Sequence, residues 1–214
     1  TVTVKAPVIE VPPTVLEEEY VKGIWISTVA NIDFPSRSGL SADQLKAEID
    51  TIMNNVATWG LNTVYFQVRP TGDALYPSQY YPSSYYVVKN QGDELPLDIL
   101  AYAVEAAHAR GLAFHAWINP YRVTNAAAHT MDHLAATNPA KVHPEWVLTD
   151  GTKLYLNPGI PEVRQYIIDG ALEIVKNYDV DGIHFDDYFY PSLGKNYASN
   201  FDATEYNTYK KQKI

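Results

Sequence analysis

Cysteine is absent from the 214-residue sequence, which excludes disulfide bonds, thiolate metal sites and a cysteine nucleophile. Apolar runs of the roughly 20 residues that a membrane-spanning helix needs are also absent, so we predict no membrane-spanning segment. Basic residues are few, 16 against 25 acidic ones, and nowhere do five of them follow one another. Because nucleic acids and anionic lipids are bound through basic side chains, a formal net charge of −9 argues against nucleic acid as a partner.

Aromatic side chains are plentiful, with 17 Tyr and 4 Trp. Exposed Tyr and Trp rings are typical of sugar-binding clefts, because a flat apolar ring matches the C–H face of a sugar while its polar edge reaches hydroxyl groups. Packing in the core is the alternative for each ring taken singly. Apolar residues make up 46% of the chain and charged residues 19%, which indicates one folded domain and not a disordered segment.

Strands alternate with helices along most of the chain. Residues 1–20, with three Pro and three consecutive Glu, are predicted to be an extended N-terminal arm or linker. The spacing of apolar residues then predicts the elements of a domain at 21–191, followed by a polar tail at 192–214. The predicted strands are 22–28, 63–68, 113–119 and 182–188, the helices begin near Ser41, Pro96 and Pro161, and long loops occupy 70–95 and 120–159.

Strand–helix repeats indicate an α/β fold with a parallel sheet, either doubly wound or closed into a barrel. The strands favour a TIM-type (β/α)8 barrel, because their polar residues share one face and gather at the C-terminal ends, where barrel active sites are built. Eight units need roughly 250 residues and four are found, so we expect the first half of the barrel. The second half is then missing from this sequence, supplied by another chain, or replaced. Self-association is expected if the barrel stays incomplete.

Two adjacent carboxylates, Asp186 and Asp187, are the strongest candidates for catalysis. They stand near the end of the fourth predicted strand, and glycoside hydrolysis needs a pair of carboxylic acids. Adjacent strand residues point to opposite faces, so Asp186, which shares the face of His184, is expected to point inward. Asp187 is expected to bond a neighbouring backbone group or Arg. The alternative is that both are structural, for example in a pair with Arg69.

Other polar residues at the same ends of the predicted strands are candidates for substrate binding. An inward Arg can bind an acidic sugar group or hold a carboxylate ionised, and an Asn at the rim can donate to a sugar hydroxyl. A structural Arg–Asp pair is the alternative for the Arg. Two further inward residues, His115 and Trp117, are expected to belong to the core. The substrate-binding candidates are Gln67, Arg69, Asp73, Asn119, Tyr121, Arg122, His184 and Tyr188.

No metal or other cofactor is predicted. His115, His184 and Asp186 come from different strands and lack the close spacing of a dedicated metal site. Ser27 is not surrounded by the glycines of a nucleophile elbow, and the sequence has no Gly-rich phosphate-binding loop.

Six segments of the sequence, taken in order, resemble the bacterial Glycosyl hydrolase-like 10 family. They are KGIWISTVANID (22–33), FQVRPTGDA (66–74), HAWINPYRV (115–123), HPEW (143–146), LNPG (156–159) and GIHFDDYFYP (182–191). The resemblance implies a (β/α)8 barrel that acts on glycans, with members linked to the cell envelope and to cleavage of peptidoglycan strands that lack stem peptides. It also implies that Asp186 is the nucleophile and that a later strand, beyond this sequence, carries the acid/base residue.

The leading hypothesis is a glycoside hydrolase that cleaves a bacterial polysaccharide, with peptidoglycan glycan strands as the substrate. The alternatives are a carbohydrate-binding pseudoenzyme or envelope scaffold, and a metal-dependent polysaccharide deacetylase. Shortening of the glycan distinguishes the first from the other two, and chelator-sensitive release of acetate identifies the third. We expect the protein in the periplasm, outside the cell, or on the cell envelope as a lipoprotein.

Overall fold

A parallel sheet of four strands forms the centre of the computed structural model, which describes residues 20–125 and 129–186. The strands lie side by side in chain order and are β1 (Gly23–Ile26), β2 (Thr63–Arg69), β3 (Ala113–Ile118) and β6 (Gly182–Phe185). The helices between consecutive strands of the sheet are α1 (Ala42–Thr58), α2 (Ile99–His108) and α4 (Pro161–Asn177). Four parallel strands with the three helices that connect them correspond to about half of a TIM-type barrel, and the predicted fold class is confirmed.

The connection between β3 and α4 contains structure that the sequence analysis treated as one long loop. A single-turn helix, α3 (Pro139–Val142), precedes an antiparallel hairpin of β4 (Val147–Asp150) and β5 (Lys153–Leu156). The hairpin turns at Gly151, whose φ of +61° lies in the left-handed region that favours glycine. Because Asp-Gly between two apolar runs is a hairpin signal, this feature was readable from the sequence.

Helix α1 shows how local sequence sets the bounds of an element. The Ser41 hydroxyl accepts a hydrogen bond from the Gln44 backbone, and the Gln44 side chain accepts one from the Ser41 backbone, which is the predicted capping box. The buried face of the helix consists of Leu45, Ile49, Met53 and Val56. No helix in the described ranges is long and apolar enough to cross a membrane.

Two predicted boundaries are wrong by a few residues. Helix α2 begins at Ile99 and not at Pro96, because the Asp98 side chain accepts a hydrogen bond from the Ala101 backbone at 3.0 Å and so caps the helix there. The fourth strand of the sheet was predicted to reach residue 188, but β6 ends at Phe185. Asp186 therefore stands just beyond the strand, at the C-terminal edge of the sheet.

Strand β2 contains an irregularity that turns the Arg69 side chain to the face opposite to the predicted one. Gln67 pairs with Trp117, whereas Arg69, two residues on, pairs with Ile118, the very next residue of β3. The extra residue makes a β-bulge, which breaks the alternation of faces along the strand. Ile118 is fully buried on the side that faces the helices, so Arg69 lies on that side as well.

The two faces of the sheet differ in burial. The helix-facing side is closed, and its Val, Ile and Phe side chains each contribute about 1.5–3 kcal/mol through removal from water. The fully buried residues of this side include Val64, Phe66, Phe114, Ala116 and Ile118. The opposite face, which corresponds to the barrel interior, is partly open, and Trp25 is 52% exposed there while it stacks on Tyr65. Within the described ranges, the outer strands β1 and β6 pair on one side only.

Candidate active site

Asp186 lies at the C-terminal edge of the sheet, with hydrogen-bond donors on its two oxygens. The Asn119 amide nitrogen donates to Oδ1 at 2.6 Å and to Oδ2 at 2.7 Å. The Trp117 indole nitrogen donates to Oδ2 at 3.1 Å. Both partners come from β3 and the residue that follows it, because β3 is the neighbour of β6 in the sheet. These contacts fix the orientation of the carboxylate, and Asp186 faces the barrel interior as predicted.

A second polar contact extends the site across the sheet to β1. The Gln67 side-chain oxygen accepts hydrogen bonds from the backbone of Thr28 at 2.8 Å and of Val29 at 2.9 Å. The Gln67 side-chain nitrogen donates to the Asn119 side-chain oxygen at 2.6 Å. Gln67 and Asn119 are both buried. The site is therefore one continuous hydrogen-bonded chain that begins after β1 and ends at Asp186.

A cleft of about 320 Å³ opens beside the Asp186 carboxylate. Aromatic and cationic side chains form much of its wall, and Asp186 is the one carboxylate among the described residues that line it. The lining residues are Ser27, Val29, Ile32, Gln67, Trp117, Arg122, Asn125, Lys153, Tyr155 and Asp186. Aromatic rings beside polar groups suit a sugar ring, and the two cations suit an acidic substituent on it.

His184 lies on the same face of the sheet as Asp186, two residues earlier in the chain. Its Nε2 accepts a hydrogen bond from the Trp25 indole nitrogen at 3.0 Å, so that ring nitrogen carries no proton. Burial lowers the pKa of His184 below its usual 6.5, and the nearby Asp186 charge opposes this only in part. A neutral imidazole is consistent with both observations. Among the described residues, no three His, Asp or Glu side chains are grouped so that they could hold a metal ion.

Arg69 does not reach the cleft, and its predicted place beside Asp186 is wrong. The bulge in β2 turns the side chain under α4, where it is fully buried. Its guanidinium carbon lies 4.2 Å from the centre of the Tyr81 ring. Arg69 therefore lies on the opposite side of the sheet from Asp186, so the alternative of a pair between these two residues is wrong as well, while a pair with Asp187 lies outside the described residues.

Asp73 also lies away from the cleft, in contrast to its predicted role in substrate binding. It is fully buried in the loop after β2 and accepts hydrogen bonds from the Thr71 hydroxyl at 2.7 Å and the Gln91 amide at 3.0 Å. Burial raises the pKa of Asp73 to about 6, although these hydrogen bonds oppose the shift. The residue therefore shapes the loop from within.

The remaining predicted residues are divided between the site and its surroundings. Gln67, Asn119 and Arg122 come together at the cleft, the first two as partners in the chain that ends at Asp186. Tyr121 is partly buried against a second apolar cluster and is not part of the cleft wall. Asp187 and Tyr188 lie outside the described residues.

Sequence reasoning missed the cleft roles of Trp117, Lys153 and Tyr155. Trp117 was expected in the core, yet it is only partly buried and donates to Asp186. The alternation of faces could have indicated this, because Trp117 lies two residues before Asn119 on the same side. Lys153 and Tyr155 belong to the β4–β5 hairpin, which the sequence analysis overlooked although the Asp-Gly turn signal predicts it.

Comparison with known proteins relates the chain to one family over most of its length. The Glycosyl hydrolase-like 10 family model matches residues 20–214. Glycosyl hydrolase YngK of Bacillus subtilis (strain 168) is 47% identical over 171 residues, which are 79% of this chain and 33% of that protein. Glycosyl hydrolase DigH of Escherichia coli (strain K12) is 38% identical over 196 residues, which are 84% of this chain and 44% of that protein.

The chain thus spans less than half the length of these curated relatives. Among solved structures, alpha-L-fucosidase isoenzyme 2 from Paenibacillus thiaminolyticus aligns with a TM-score of 0.50 and 16% identity, over 89% of this chain and 28% of that one. At that identity the likeness concerns the fold alone, and it agrees with the half-barrel described above. The family match and the two curated relatives show that the chain belongs to the Glycosyl hydrolase-like 10 family.

Proposed function

We propose that this chain carries the nucleophile side of a glycoside hydrolase active site, with Asp186 as the reacting carboxylate. The observation that carries the proposal is the placement of Asp186 at the C-terminal edge of the sheet, on a cleft, with Asn119 and Trp117 as donors. Glycoside hydrolysis needs a second carboxylic acid to protonate the leaving oxygen. We place that residue on a later strand of the full-length protein.

The proposed substrate is the glycan of bacterial peptidoglycan, and we propose that the protein works outside the cytoplasm, where that polymer lies. The family resemblance supports this choice, and so does the chemistry of the cleft. A glycan strand without stem peptides exposes the lactyl carboxylates of its muramic acid residues. Arg122 and Lys153, on the cleft wall, are suitable partners for such a carboxylate, and Trp117 and Tyr155 for the sugar face.

A binding role without hydrolysis is the second candidate. It is favoured by one observation, that Asp186 is the one carboxylate among the described residues that line the cleft. A protein of this kind would bind glycan strands and leave their length unchanged. Glycan length and glycan affinity therefore have to be measured side by side.

The test of the proposed function compares the full-length protein with its Asp186→Asn variant on purified glycan strands that lack stem peptides. We expect the variant to shorten the strands about a thousandfold more slowly or worse, because the amide cannot act as nucleophile, while it still binds them. Asp43→Asn, at an exposed position in the first turn of α1, is the matched control and should keep normal activity.

Two results would contradict the proposal. Near-normal shortening by Asp186→Asn would remove this carboxylate from the mechanism. Tight binding by the unaltered protein without any shortening of the strands would favour the binding-only candidate.

A further inference from the structure

The side-chain amide of Gln67 can take only one orientation. One of its two terminal atoms lies 2.8 Å from the Thr28 backbone nitrogen and 2.9 Å from that of Val29. A backbone N–H donates and cannot accept, so the atom that faces both of them must be the oxygen. The amide nitrogen of Gln67 is thereby turned towards Asn119.

The orientation of Gln67 in turn determines that of Asn119. The Gln67 nitrogen donates to an atom of Asn119 at 2.6 Å, and this atom must be the side-chain oxygen. The Asn119 nitrogen then points to Asp186, 2.6 Å and 2.7 Å from its two oxygens. The backbone N–H groups of Thr28 and Val29 thus fix the orientation of both amides. As a result the Asn119 amide nitrogen, and not its oxygen, faces the Asp186 carboxylate.

This chain of amides is closed to solvent. The exposed fraction is 0% for Gln67 and 1% for Asn119. Water cannot replace a lost partner at such a position, and a reversed amide would bring two donors or two acceptors together at each contact. The direction of the hydrogen bonds through Gln67 and Asn119 is therefore fixed more strongly than in an amide pair at the surface.

We propose that Gln67 is a positioning residue that keeps the donor side of Asn119 against the Asp186 carboxylate. A reversed Asn119 amide would bring its oxygen against the carboxylate oxygens, with no proton between the two acceptors. This relay of two amides therefore holds the Asp186 carboxylate in one orientation while the site is at work. This inference rests on the proposed function, in which Asp186 is the reacting carboxylate.

The test compares Gln67→Glu and Gln67→Met in the full-length protein. In Gln67→Glu an acceptor faces Asn119, whose amide must reverse and present its oxygen to Asp186. In Gln67→Met the side chain of residue 67 no longer fixes the Asn119 amide, and no charge is introduced. We expect kcat on glycan strands to fall about a hundredfold in the first variant and about tenfold in the second, with KM changed by about threefold or less.

Two readouts are used, and one of them does not depend on turnover. The first is how the loss of activity divides between kcat and KM during hydrolysis. The second is the NMR contact between the N–H protons of Asn119 and Trp117, which both donate to Asp186 and should therefore lie close together. Gln165→Met, at an exposed position on α4, is the matched control and should leave both readouts unchanged.

We expect the contact between the Asn119 and Trp117 protons to disappear in Gln67→Glu and to weaken in Gln67→Met. Either folded variant is a sufficient test if the other does not fold. An unchanged contact in a folded variant would overturn the relay, and so would a loss of kcat confined to Gln67→Glu when Gln67→Met folds, because the added charge explains it. If the contact is lost as expected but the unaltered protein hydrolyses no glycan, the relay stands and the proposed function fails.

Discussion

Asp73 is a carboxyl group that the fold keeps entirely away from water. It accepts hydrogen bonds from Thr71, at the start of the loop after β2, and from Gln91, near its end. The Gln91 oxygen in turn accepts hydrogen bonds from the Ala135 backbone and the Asn138 amide. A single buried side chain thus ties the loop to itself and, through Gln91, to the loop after β3.

The raised pKa of Asp73 predicts how the stability of the protein depends on pH. Burial raises its pKa from 3.8 to about 6, so the folded chain holds this proton more tightly than the unfolded chain. The resulting stabilisation is complete below about pH 4 and is lost as the pH rises through about 6. A shift of about two units corresponds to about 3 kcal/mol. We expect the free energy of unfolding of Asp73→Asn, relative to the unaltered full-length protein, to rise by about 2–3 kcal/mol between pH 4 and pH 7.

Urea unfolding at several pH values measures this difference. The amide of Asn places an N–H group where Asp73 has an acceptor, so the variant should be the less stable protein at pH 4. The change with pH, and not the absolute stability, therefore tests the prediction. Stability curves that run parallel over this range would contradict it.

At the scale of elements, a buried carboxylate joins helix α4 to the loop after β2. Glu173 accepts hydrogen bonds from the Ser78 hydroxyl at 2.5 Å and the Gln79 backbone at 2.6 Å, and it is only 7% exposed. Arg69 is buried in the same region, because its guanidinium packs against Gly170, which lies three residues before Glu173 on α4. Glu173 therefore serves both as an acceptor for the loop and as a negative charge near a buried cation.

We expect Glu173→Ala to lower the free energy of unfolding of the full-length protein by about 2–4 kcal/mol, because two donors lose their acceptor and a buried cation loses a nearby negative charge. Glu173→Gln keeps an acceptor but not the charge and should fall between the two proteins. Glu162→Ala, at an exposed position in the first turn of the same helix, should change the value by about 0.5 kcal/mol or less. Chemical denaturation gives all three values, and equal effects at 162 and 173 would refute this role of Glu173.

Elements with strong local signals were predictable from the sequence. The capping box at Ser41 and the proline at 161 set the starts of α1 and α4 correctly. The bulge in β2 was not predictable, because period-two alternation runs without interruption through Gln67 and Arg69 in the sequence. A single extra residue is visible only in the pairing with β3, and it moves Arg69 from the cleft to the helix side.

The site was predictable in part for the same reason. The alternation of faces along one strand was sufficient to predict that the Asp186 side chain points inward. The partnership of Gln67, Asn119 and Asp186 joins three different strands, so it depends on register, which no single strand encodes. The burial of Asp73 depends on how a loop folds back on itself, and its sequence neighbours give no sign of it.

At the scale of the whole molecule, the described half-barrel leaves apolar surface uncovered. Ile168 is 50% exposed, Leu172 41% and Val175 54%, and the three form one stripe along α4. On the barrel side of the sheet, Trp25 is 52% exposed. In a closed (β/α)8 barrel these surfaces face the next helix and the opposite wall.

We therefore expect the 214-residue chain by itself to self-associate. Sedimentation velocity over a range of concentrations should show species larger than the monomer. Val175→Lys should reduce them, because it places a charge in the apolar stripe, whereas Gln165→Lys, at an exposed polar position of the same helix, should not. A monomer at all concentrations with a cooperative thermal transition would contradict the expectation.

The order of the strands in the sheet is also their order in the chain. Each parallel pair joins consecutive members of the sheet, so a strand leaving the ribosome meets an edge that its predecessor has already formed. The polar contacts obey the same order, since Asn119 reaches back to Gln67 and Asp186 reaches back to Asn119. The fold can therefore grow from its N-terminal side as the polypeptide is made, and the carboxylate arrives last, against partners whose positions are already set.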